Sequence, residues 1–75
     1  MLKIKRLETF LWIARLGSFA AAADRLNSTQ STISVRIQEL EQSLGVELFD
    51  RSHRAIKLTP KGIELLPLAE KLIDM

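Results

Sequence analysis

Apolar side chains recur along most of this chain at helical spacing, and one stretch changes to the period of a strand. Leu7, Phe10, Leu11 and Ala14 fall at i, i+3, i+4 and i+7, one face of a first helix. Gly17 is placed to end that helix, because glycine adopts the left-handed backbone of a C-terminal cap without strain. Ser18 follows as an N-cap, and Phe19, Ala22, Ala23 and Leu26 repeat the spacing over a second helix of about two turns. Its alanines are small enough for another helix to approach closely. Asn27 and Ser28 predict a tight turn, since asparagine tolerates a left-handed backbone and both side chains can bond nearby backbone groups. Thr29 is the expected N-cap of a third helix, with Ile33, Ile37, Leu40 and Leu44 as its buried stripe and Gly45 as its terminator. From Val46 to Leu58 the period becomes two: Val46 and Leu48 alternate with Glu47 and Phe49, and Ile56 and Leu58 with Ala55 and Lys57. Between these runs lies Asp50-Arg51-Ser52-His53-Arg54, so the segment predicts a hairpin with a basic loop. Thr59-Pro60 then reads as the N-cap and first position of a fourth helix, kinked where Pro67 removes a backbone donor.

The sequence therefore predicts a mainly α fold. A three-helix core with a two-stranded wing, a winged helix-turn-helix, occupies residues 1–58, and residues 59–75 begin a linker or dimerisation helix. Length agrees with one small domain: 75 residues leave no room for a second. The absence of cysteine excludes disulfides, zinc–thiolate sites and thiol catalysis, and the single histidine, His53, cannot build a His-based metal site. No metal, cofactor or enzymatic activity is expected, because no glycine-rich phosphate loop or closed pocket is legible either. The longest apolar runs, Phe10 to Ala14 and Phe19 to Ala23, are far below the roughly 18 residues of a membrane span. Lys3, Lys5 and Arg6 before an apolar stretch faintly resemble a signal peptide, but Glu8 and Arg15 interrupt it, which favours the cytoplasm.

Charge is uneven although the net value is only +2. Residues 1–27 carry five basic and two acidic side chains, 28–50 one and four, 51–62 four and none, and 63–75 one and three. The segment 51–62 thus concentrates Arg51, Arg54, Lys57 and Lys61, with His53 among them. A solubilising surface would intersperse the signs.

Opposite the buried stripe of the third helix lie Ser31, Val35, Gln38 and Gln42, flanked near the N-terminus by Gln30, Thr32, Ser34 and Arg36. Thr29 to Ile37 contains no acid; Glu39 and Glu41 come only later. That asymmetry suits a helix whose first turns enter the major groove of DNA, where a carboxylate would face phosphates. Glutamine can pair with adenine, serine and threonine with any base, and arginine with guanine or phosphate. Arg51, His53 and Arg54 are placed to reach phosphates or a narrow minor groove from the wing. A solvated helix face and an ordinary charged loop are the bland readings, and a winged-helix module for protein partners is the alternative function. The helix-turn-helix order and the four basic residues without an acid from Arg51 to Lys61 favour DNA. Leu65, Leu66, Leu68, Ala69, Leu72 and Ile73 cover more than one stripe of the fourth helix. With Trp12 and Ile13, which lie off the main stripe of the first helix, they predict a dimerisation surface. The intramolecular alternative is that the fourth helix packs back on the first, and both can hold together.

The chain also resembles the DNA-binding domain of LysR-type bacterial transcription regulators. The matching residues are Leu7-Glu8-Thr9-Phe10, Gly17-Ser18-Phe19, Ala21-Ala22-Ala23, Leu26, Thr29-Gln30, Ile33-Ser34, Ile37, Leu40-Glu41, Leu44-Gly45-Val46, Leu48-Phe49, Arg51, Leu58-Thr59 and Gly62. The resemblance implies a winged helix-turn-helix, a linker helix that joins two subunits, and a homodimer or tetramer on an imperfect inverted repeat. It places Thr29, Gln30, Ser34 and Arg36 in or beside the major groove and Arg54 at the minor groove. It further implies a two-lobed effector domain beyond these residues, the only place for a small-molecule effector. Ser31 stands where the family often has proline, and Val35 where it often has a basic or polar residue, so base preference at Val35 does not carry over.

Overall fold

The computed structural model describes residues 4–51 and 56–74. Four helices, α1 (Ile4–Leu16), α2 (Phe19–Arg25), α3 (Gln30–Leu44) and α4 (Pro60–Ile73), frame a two-stranded antiparallel hairpin of β1 (Phe49–Asp50) and β2 (Lys57–Leu58). The predicted stops and starts hold. Gly17 and Gly45 take φ of 72° and 71°, and Asn27 turns the chain at φ 53°. Ser18, Thr29 and Thr59 each accept the backbone N–H three residues on, at 3.1, 3.2 and 3.1 Å. Each cap satisfies one of the donors that a helix start leaves without an intrahelical partner.

Helix α1 is the centre of the packing, touching α2, α3 and α4. Three neighbours bury more than one stripe of it: Leu7, Phe10, Leu11 and Ile13 are all fully enclosed. Ile13, expected off the main stripe, is therefore a core residue. Thr9 is buried too, its hydroxyl donating to the Lys5 carbonyl at 2.7 Å. Phe49 closes the core from the hairpin, its ring 5.5 Å from Phe10 and 5.9 Å from Phe19.

Three further expectations are corrected. Leu44 is 43% exposed, because the last turn of α3 borders an open groove against α4 and not the core. Among the described residues the strands pair Phe49↔Leu58 and Asp50↔Lys57. The backbone of 47–49 bonds helix termini in place of a ladder: the Glu41 carboxylate accepts the Leu48 and Phe49 N–H groups, and Thr59 bonds the Glu47 and Leu48 carbonyls. Leu48 and Phe49 are both buried, so alternation fails there as well. Ala69, assigned to a dimerisation surface, is fully buried where α4 packs on α1. Helix α4 runs on through Pro67.

Candidate nucleic-acid interface

Ile33, Ile37 and Leu40 turn one side of α3 into the core and thereby fix which side faces outward. Gln30, Ser31, Thr32, Ser34, Val35 and Gln38 are exposed, and Arg36 is half-buried. Thr29 is exposed as well; its hydroxyl donates to that of Thr32 at 3.0 Å while accepting the Thr32 N–H, so the first turn is capped. Arg36 makes no ion pair among the described residues and keeps its charge available. Glu39, the first acid of α3, pairs with Arg6 of α1 at 3.4 Å, which offsets its charge near the outward face. The structure thus brings together every residue assigned to this face. The result is a polar, acid-free pair of helical turns, with one apolar side chain, Val35, in its midst.

At the wing, Arg51 is exposed but not loose. Its guanidinium lies 3.5 Å from Glu41 and 5.6 Å from the Phe19 ring centroid. His53 and Arg54, assigned to the same interface, lie outside the described residues. Glu41 is the residue that sequence reasoning missed. It follows Ile37 by four positions and so lies beside the buried stripe, only 10% exposed, where a carboxylate needs partners. It finds three: two backbone N–H groups at 2.7 and 3.4 Å and Arg51. Its place at the edge of the stripe was the available signal.

The model of the bacterial regulatory helix-turn-helix protein family lysR matches residues 4–63, which is α1, α2, α3, the hairpin and the start of α4. The chain belongs to the LysR family. As a member it is a DNA-binding domain of transcription regulation. Over 68 residues, 91% of this chain, it is 49% identical to the HTH-type transcriptional regulator HdfR of Yersinia enterocolitica, and it spans 23% of that protein. Among solved structures it is similar to the BenM DNA-binding domain in complex with benA site 1 DNA. That match has a TM-score of 0.93 and 36% identity, and covers 97% of this chain and 82% of that one. The CbnR DNA-binding domain in complex with DNA gives a TM-score of 0.91 at 40% identity, over 97% of this chain and 84% of that one.

The other assigned surface is divided. Leu68 and Leu72 are 56% and 52% exposed, and Ile63, which had not been assigned, is 60% exposed. Ile73 is half-buried, while Leu65 and Leu66 pack partly on the core. Trp12 is half-buried under two cations, with the Arg25 and Arg15 guanidinium groups 4.3 and 5.2 Å from its ring centroid. Arg15 also bridges to Glu70 and Asp74 of α4, and those carboxylates raise its pKa further above the ordinary arginine value. Trp12 is thus engaged within the monomer. No described helix is long and apolar enough to cross a membrane.

Proposed function

We propose that this domain reads an inverted-repeat operator as a homodimer, with α3 in the major groove of each half-site and the wing on the flanking phosphates or minor groove. The observation that carries the reading is the outward face of α3, where Gln30, Ser31, Thr32, Ser34 and Arg36 lie together behind a tight turn and no carboxylate intrudes before Glu39. Gln30 and Ser34 supply base contacts, Thr29 and Arg36 hold the register on the backbone, and Arg51, His53 and Arg54 serve the wing. Phosphate contacts position such a domain and base contacts give it preference. Two copies reading the same face of the duplex space their half-sites by roughly 34–36 Å or a multiple of it. The exposed apolar residues of α4, chiefly Leu68 and Leu72, supply the dimer contact. HdfR is about four times the matched length, and an effector-binding activity would belong to such additional residues. The reading has no catalytic step and places the protein in the cytoplasm.

Fluorescence anisotropy against a randomised duplex pool, as a function of salt and with sequencing of the bound fraction, tests this reading. A steep salt slope with an enriched inverted repeat is the expected result. Weak binding at every salt concentration with no enrichment overturns it. Gln30→Ala is expected to change the relative ranking of sites, whereas Arg54→Ala weakens all sites alike.

A further inference from the structure

Val35 has no structural reason to be apolar. The core takes Ile33, Ile37 and Leu40 from α3, and Val35 is 52% exposed between them. It stands in a shallow depression whose other walls are Ser31, Thr32, Arg36 and Glu39. A β-branched side chain on a helix holds essentially one rotamer, so its two methyl groups occupy a fixed place on this face. Those methyls neither donate nor accept a hydrogen bond. On the major-groove edges of the base pairs the apolar group is the 5-methyl of thymine, whereas the other recognition points are donors and acceptors.

We infer that Val35 is a specificity-determining residue that reads one thymine in each half-site through its 5-methyl group. The inference rests on the reading that α3 lies in the major groove and adds the chemistry recognised there. Ser31 and Thr32, one turn earlier, and Arg36, beside it, supply the polar rim that fixes the position of the valine against the base. The preference that results is for a methyl group and not for a hydrogen-bonding pattern.

Deoxyuridine separates the two, because it keeps every pairing and groove hydrogen-bonding group of thymine and lacks only the methyl. With the whole chain and its best selected duplex, each thymine is replaced in turn by deoxyuridine and Kd is read by anisotropy. At one position per half-site the wild type is expected to lose affinity about fourfold, the value of one buried methyl-sized group. Val35→Ala, which favours the helix more than valine does, is expected to bind the thymine and deoxyuridine duplexes equally; circular dichroism checks that it is folded. Val35→Thr, which keeps one methyl, is expected to retain part of the difference. A wild type indifferent to every deoxyuridine replacement, or a loss that persists unchanged in Val35→Ala, overturns the inference and leaves operator binding standing. A chain that binds no duplex overturns operator reading and this inference together.

Discussion

A β-carbon on residue 62 would lie 2.3 Å from the Leu48 carbonyl oxygen and 3.0 Å from a Leu58 side-chain carbon. Gly62 sits in the first turn of α4, just where Thr59 has drawn that helix start against the chain at Glu47 and Leu48. The obstacle is backbone, which cannot swing aside as a flexible side chain would. Gly62→Ala is therefore expected to destabilise the fold by about 1–3 kcal/mol, the range for overpacking. A thermal melt followed by circular dichroism checks it, and a melting temperature equal to the wild type would show that the helix start slides freely on the hairpin. Ser18 is a simpler case. Its hydroxyl caps α2, a helix of only 7 residues, and Ser18→Ala is expected to cost about 1 kcal/mol in the same measurement.

At the scale of elements, the hairpin owes its position to helix termini more than to its own ladder, since two residue pairs make a very short sheet. Glu41 holds the entry to β1 and Arg51 holds its exit, so the wing is referred to α3, the same helix that carries the outward polar face. The Leu48 and Phe49 N–H groups share one Glu41 oxygen and Arg51 faces the other. Glu41→Gln therefore keeps the shape and the backbone bonds but turns an amide N–H donor and no charge toward the Arg51 guanidinium, releasing the exit of β1. Its expected consequence is a wing that is misplaced while α3 keeps its face. Affinity should then fall alike for all operator variants, with their ranking unchanged. Competition titrations across a panel of sites decide the matter; a reordered ranking would mean that Glu41 acts on α3 itself. The α1–α4 contact is anchored differently at its far end, where Arg15 bridges Glu70 and Asp74 in an exposed setting. Exposed pairs contribute little to global stability. Arg15→Ala should leave the melting temperature nearly unchanged while amide exchange quickens in the last turn of α4.

The whole molecule measures 26 × 26 × 20 Å, and at that size one core must serve every helix. Helix α4 spends Ala69 on that core, with Leu65 and Leu66 partly packed on it, and leaves Ile63, Leu68 and Leu72 outside. A groove between α4 and the end of α3 exposes Leu44, Val46 and Leu68 in addition. Leu68→Glu is accordingly expected to convert a dimer to a monomer that still folds, as read by light scattering together with circular dichroism. Ala69→Glu should instead unfold the chain, because the carboxylate would be buried without a partner. If Leu68→Glu also unfolds it, the exposed leucine is structural and the proposed dimer contact through it fails.

Local signals in the sequence determined the helices and their ends. Caps at Ser18, Thr29 and Thr59, left-handed turns at Gly17, Asn27 and Gly45, and the stripe Ile33, Ile37 and Leu40 all depend on neighbours within about one or two turns. The outward face of α3 follows from that stripe, so it too was legible. What the tertiary structure decided involves groups far apart in the chain. Ile13 is enclosed because α1 has three neighbours, Ala69 because α4 folds back on α1, and Leu44 is left open because the groove beside it is not filled. Away from the loop the ladder stops at Phe49 and Leu58 because the Glu41 carboxylate and Thr59 take the backbone groups of 47–49 that it would have used. Periodicity says which residues share a face; how many neighbours that face meets, and which distant polar group reaches it, is fixed only when the helices pack.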